Sequence, residues 1–77
     1  MPNNNETRVI RADNAMEFYV RQQLNEIYNP ASKDENLIDL ITDLMHFAAS
    51  DNIDFSASVR MATNHFEAEQ EEVAHGI

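Results

Sequence analysis

Three histidines and fourteen carboxylates are the side chains of this 77-residue chain best suited to chemistry. Their most direct use is to hold a divalent metal. A zinc site on one helix draws on two His four positions apart, often with a Glu between them as base. Here His46 and His65 stand nineteen positions apart, on different predicted helices. Asp39, Asp43 and His46 share one helical stripe, and His65 and Glu69 lie one turn apart on another. Such stripes grip a metal only where two polar faces meet, and polar faces of neighbouring helices ordinarily face water. The expectation is no metal and no cofactor.

Other chemistries fare no better. All-α nucleotide pyrophosphohydrolases hold Mg²⁺ with carboxylates that converge on the ion, supplied by paired Glu-x-x-Glu and Glu-x-x-Asp motifs. The only Glu-x-x-Glu here is Glu69 to Glu72, near the C-terminal end of the last helix. Cysteine is absent and Gly76 is the only glycine, so the chain offers no thiol, no Gly-x-Ser-x-Gly elbow and no phosphate-cradling loop. A working acid or base also needs a pocket that perturbs its pKa, for which so short a chain has little room. The protein is expected to be non-enzymatic.

Binding is what remains, and charge gives it a sign. The net charge is −9. Residues 1–31 are nearly balanced, with four acids against three Arg, whereas residues 32–77 hold ten acids against Lys33 and Arg60. Such a field repels nucleic acid and anionic membrane and attracts basic surfaces. A helix-turn-helix reading fails for the same reason, because Arg60 is the only cation on the third predicted helix and phosphate contacts depend on Lys and Arg. Direct nucleic-acid binding and membrane binding are not expected. Acids three or four residues apart on a helix lie about 5–6 Å apart. Asp39, Asp43, Glu67, Glu69, Glu71 and Glu72 can thus present negative charge as a phosphate backbone does, to the basic surface of a nucleic-acid-binding complex. Acidic residues also simply keep small proteins dispersed. A second surface is apolar: Phe18, Tyr28 and Met61 fall off the predicted core faces and offer a contact for self-association.

The elements that carry these residues follow from apolar spacing. Residues 1–7 are polar and aperiodic and read as a disordered tail; residues 8–77 form one helical domain. Val9 and Ile10 fit a short extended segment or a contact against a helix. Asn14-Ala15-Met16-Glu17 has capping-box spacing, and Met16, Val20, Leu24 and Ile27 follow at helical intervals, giving a helix over about 14–28 that ends before Pro30. Ser32 to Glu35 repeats the capping pattern and opens a helix over about 33–50. Leu37, Ile38, Leu40, Ile41, Leu44, Met45, Phe47 and Ala48 cover about half its circumference, so it should touch two neighbours. Asn52 tolerates the left-handed turn that stops a helix. A third helix, about 55–72, is capped by Asp54 or Ser56 and buries Phe55, Val59, Ala62, Phe66 and Val73. Its acidic C-terminal end opposes the helix dipole and should fray. The fold expected is all-α, a small three-helix bundle. With no disulfide to hold it, a domain this small needs oligomerisation or unusually good packing. The N-terminal residues lack a signal-peptide pattern, and no apolar run is long enough for a bilayer.

Over residues 36–69 the pattern Asp-Leu-x-x-Asp-Leu-x-His of Asp39 to His46, a turn at Asp54-Phe55, and His65-Phe66 with Glu69 resembles short uncharacterised proteins of bacterial phages and plasmids. Small acidic proteins of such elements include anti-CRISPR and anti-restriction inhibitors of host defence. The resemblance implies a setting, the cytoplasm of a bacterial host, and transfers no residue role. Together with the charge it favours an acidic inhibitor of a nucleic-acid-handling defence complex, with a homodimeric structural or regulatory protein as the alternative.

Overall fold

The computed structural model describes residues 4–74, with side-chain surroundings given through Glu72. The described chain is all-α, with three helices and no strand: α1 (Asn4–Phe18), α2 (Lys33–Ser50) and α3 (Phe55–Ala74). A π-helical turn, Tyr19–Gln23, prolongs α1, and a single 3₁₀ turn, Pro30–Ser32, leads into α2.

Helix α1 begins ten residues before the predicted start, and the cause is tertiary. Arg8 Nε pairs with Glu69 Oε1 on α3 at 3.2 Å, and Arg8 Nη1 donates to Asn5 Oδ1 at 2.8 Å. Asn5 Nδ2 in turn donates to the Glu69 carbonyl at 3.3 Å. These bonds anchor the first turns of α1 on α3, which no local capping signal announces. Residues 4–7 of the predicted disordered tail are therefore helical, and residues 1–3 lie outside the described residues. Val9 and Ile10 are helical and exposed rather than extended. Asn14 sits inside the helix, and Glu17, its expected capping partner, instead pairs with Arg21 one turn on, at 3.2 Å.

The same helix also ends early. Leu24 N–H donates to the Tyr19 carbonyl at 3.0 Å, closing the π turn, and Glu26 N–H reaches back to the Val20 carbonyl at 3.0 Å. Between them Asn25 takes φ 56°, the left-handed region that Asn enters more readily than most residues. The predicted continuation to Tyr28 does not form. Tyr28 Oη donates to Asp13 Oδ1 at 2.6 Å, whereas a straight helix would hold residues 13 and 28 about 22 Å apart. The chain folds back along α1 to make that bond.

Helix α2 keeps its expected span but not its expected cap. Ser32 makes no side-chain capping bond. The Asn29 side chain instead accepts from Ala31 N–H at 2.9 Å, with Pro30 in the first turn, where its missing N–H costs nothing. Asp34 and Glu35 then lie at the positive end of the helix dipole. At the other end Asn52 takes φ 58°. Ile53 N–H bonds the Ala48 carbonyl at 2.8 Å and Asn52 N–H bonds that of Ala49 at 3.4 Å, the paired bonds of a Schellman stop. Of the two candidates to cap α3, Asp54 does so: its Oδ1 accepts from Ala57 N–H at 3.1 Å. The helix continues through Glu67, Glu69, Glu71 and Glu72 to Ala74.

Where the elements match the pattern, the packing does not. Only Val20 at 0 %, Ala48 at 5 % and the polar Asn36 at 4 % are buried among the described residues. The apolar half of α2 was expected to be covered by two neighbours, yet Ile41 is 41 % exposed and Ile38 61 %. On α3, Val59 and Phe66 of the predicted core side are exposed as well. The molecule measures 39 × 31 × 17 Å. Packed helix axes lie about 8–10 Å apart, so the shortest dimension holds two helix layers, and with three helices neither layer is broad enough to cover the other.

Candidate protein-interaction surfaces

Besides the Arg8 and Asn5 bonds to Glu69, two polar junctions hold α1 and its π turn to the rest of the chain. In the first, Asp13 of α1 accepts from Tyr28 Oη and, at 3.2 Å, from Lys33 Nζ at the start of α2. Lys33 Nζ also lies 5.2 Å from the Tyr28 ring centroid, within cation–π range. The hydrogen bond from Tyr28, and then that from Lys33, holds the Asp13 carboxyl below the usual carboxylate range. The reciprocal bond to Asp13 raises both Tyr28 and Lys33 above their ordinary values. In the second junction Tyr19 Oη donates to Asp43 Oδ2 of α2 at 2.5 Å. That bond, with partial desolvation and the nearby charges of Asp43, Asp39 and Glu26, pushes the Tyr19 hydroxyl up to about 12.

These junctions redistribute the acids that the sequence set aside for a partner. Asp43 is occupied by Tyr19, and Glu69 by Arg8 and, through its carbonyl, by Asn5. Asp39 stands exposed beside the Tyr19–Asp43 pair. On α3, Glu67, Glu71 and Glu72 are exposed. At 100° per residue Glu67 and Glu71 share one row, while Glu69 and Glu72, three positions apart, share another side. The six acids therefore form separate groups rather than a single file.

The candidates for self-association also divide. Phe18 and Met61 are exposed, at 58 % and 57 %. Phe18 borders a shallow depression with Asn14, Glu17, Arg21 and Gln22. Tyr28 is half-buried with its hydroxyl committed to Asp13. His46 and His65 are exposed, and among the described residues no three His, Cys, Asp or Glu come together as a metal-binding group. His75 lies outside the described residues. None of the described helices is long and apolar enough to cross a membrane.

Sequence reasoning missed the Asp13–Tyr28–Lys33 and Tyr19–Asp43 junctions because their members are 15 to 24 positions apart and obey no periodicity. It also missed Asn36, whose Nδ2 is buried without a hydrogen-bond partner.

The apolar side chains form a third surface. Ile41 and Met45 of α2 and Phe55 and Val59 of α3 line an open groove of about 350 Å³. Val9 and Ala12 of α1 border two further grooves, one with Phe66 of α3 and one with Met16 of α1 itself and Leu37 of α2. Compared with models of known protein families, with curated proteins and with solved structures, the chain matches none.

Proposed function

We propose that this is a non-catalytic binding protein whose acidic surface engages the basic surface of a nucleic-acid-handling complex, as an anti-CRISPR or anti-restriction inhibitor of a mobile element does. The observation that carries this reading is the way the cations are used. Arg8, Arg21 and Lys33 are each paired with an acid of the same chain. The stretch from Asp34 to Glu72 carries ten acids and one cation of its own, Arg60, and Arg8 of α1 pairs with one of those acids, Glu69. The resulting negative field complements Lys- and Arg-rich grooves and is unsuited to nucleic acid itself. Asp39, Glu67 and Glu72, which project into solvent, carry the contact; Asp43 and Glu69 contribute charge while holding the fold.

The test is a pull-down with the tagged full chain from bacterial lysate, at low and at moderate salt. Capture of one nucleic-acid-handling complex, weakened by salt and competed by DNA or RNA, is the expected result, because exposed charge pairs are screened. Asp39→Lys with Glu67→Lys should reduce capture while circular dichroism keeps its helical amplitude. Capture that ignores both salt and this charge reversal overturns the reading.

A further inference from the structure

Val9 borders both the groove with Leu37 of α2 and the groove with Phe66 of α3, beside the Asp13–Lys33 and Arg8–Glu69 pairs. The α2–α3 groove lies further along the Leu37–Ile41 stripe of α2. Leu37, Ile41 and Leu44 follow one another along α2 at helical spacing, and Val59 and Phe66 lie two turns apart on α3. The α2–α3 groove is lined by Ile41, Met45, Phe55 and Val59 with Ser56, and no charged side chain lines it. Periodicity assigns these apolar residues to a core, yet Ile41, Met45 and Val59 are exposed and Phe55 is half-buried.

We propose that a second copy of this chain covers this face, so that two three-helix chains form one six-helix unit. Size supports a second copy as the occupant. A compact monomer of 8.8 kDa exposes about 4,800 Å² on the size scaling of folded proteins, whereas this chain exposes 6298 Å². The excess is about 1,500 Å² per chain. A standard interface takes about 800 Å² from each partner, and obligate homodimers bury about 2,000–5,000 Å² in total; two copies each covering their excess bury about 3,000 Å². Compactness agrees: a folded chain of this length has a radius of gyration of about 11.5 Å, against 14.6 Å here. An anionic membrane does not suit a chain of charge −9. The interface uses the stripes of Leu37, Ile41, Met45, Val59 and Phe66 rather than Phe18 and Met61, which project from the other sides of α1 and α3.

This proposal concerns a different face from the acidic one, and salt separates the two. Each copy carries −9, so screening relieves repulsion between copies and tightens the dimer, while it loosens a complex with a basic partner. The experiment is sedimentation equilibrium of the full chain from about 1 to 100 μM at low and high salt, with thermal melting across the same range. The expected result is a mass twice that of the chain, firmer at high salt, and a melting midpoint that rises with concentration, as mass action requires. Met45→Lys with Val59→Lys should shift dissociation at least tenfold toward monomer; if that variant unfolds, the concentration dependence of wild-type melting still decides. Phe18→Lys should leave the dimer unchanged. A folded wild-type monomer at every concentration, with a concentration-independent midpoint, overturns the proposal, as does a dimer broken by Phe18→Lys and untouched by the pair. A monomer that still captures a basic complex sinks the dimer alone; a dimer that captures nothing sinks the proposed function alone.

Discussion

The junction of α1 with the start of α2 and the hairpin of α2 with α3 hold together by opposite means. At the α1 junction the contacts are directional. Asp13 gathers Tyr28 and Lys33, Tyr19 reaches Asp43, and Val20 is the one fully buried large side chain among the described residues. At the hairpin the turn is tightly specified by Asn52 and Asp54, yet the apolar faces beyond it are left open. Exposed hydrogen bonds and ion pairs contribute modestly because water competes for every group. The hairpin has the greater store of stabilisation, and it is realised only when something covers it. The difference teaches that the polar junction sets the arrangement of the helices, while the apolar faces of the hairpin stay exposed, the faces that the proposed dimer would cover.

The comparison breaks most readily at Val20. Val20→Ala should cost about 2 kcal/mol in urea unfolding, in the manner of large-to-small core changes; a loss no greater than that of an exposed site would remove Val20 as the anchor of the α1 junction. The hairpin should be more tolerant of side-chain loss than of backbone conflict. Asn52→Ala places a β-carbon in the left-handed region and should cost about 1 kcal/mol, while Asn52→Gly should be neutral or slightly stabilising. Equal effects of the two would show that the φ of residue 52 does not govern the turn.

The smallest effect, and the one that sharpens the contrast, is pH dependence. Asp13 has a lowered pKa in the folded chain, so its contribution is present above the unfolded carboxylate value and is lost as pH falls through the folded one. Tyr19, Tyr28 and Lys33 have raised pKa values. Their contribution is present below about pH 10 and lost above it, for Tyr19 as pH approaches about 12. The chain contains two Tyr and no Trp, so absorbance near 295 nm can follow phenol ionisation directly. Both phenols should titrate above their values in urea, Tyr19 highest, and Asp43→Asn should lower Tyr19 alone. Coincident titration in folded and unfolded chains would dissolve the Tyr19–Asp43 junction.

Much of the fold was legible before any tertiary contact was known. Helix α2 occupies the span its apolar spacing gave, and Asn52 and Asp54 hold the turn positions assigned to them, because a left-handed stop and an N-cap are satisfied within a few residues. The α1 region was legible in type and not in extent. Its early start depends on Glu69, sixty-one positions from Arg8, and its early end on Asp13 drawing in Tyr28. Neither leaves a mark in local periodicity. The candidate site was legible as charge but not as arrangement: composition showed the acidic excess, yet nothing in it foretold that Asp43 and Glu69 serve Tyr19 and Arg8.

By itself, then, the sequence determined the all-α class, the three apolar stripes, the α2–α3 turn and the sign of the surface field, since each rests on residue type and short-range spacing. The tertiary structure decided where α1 begins and ends, that Asn29 rather than Ser32 caps the entry to α2, and which acids are consumed internally. It also decided that the stripes do not close over one another. Periodicity marks which side of a helix avoids water; whether the chain has enough mass to cover that side depends on the packing of all three helices, and in these 77 residues Ile38, Ile41, Val59 and Phe66 stay exposed.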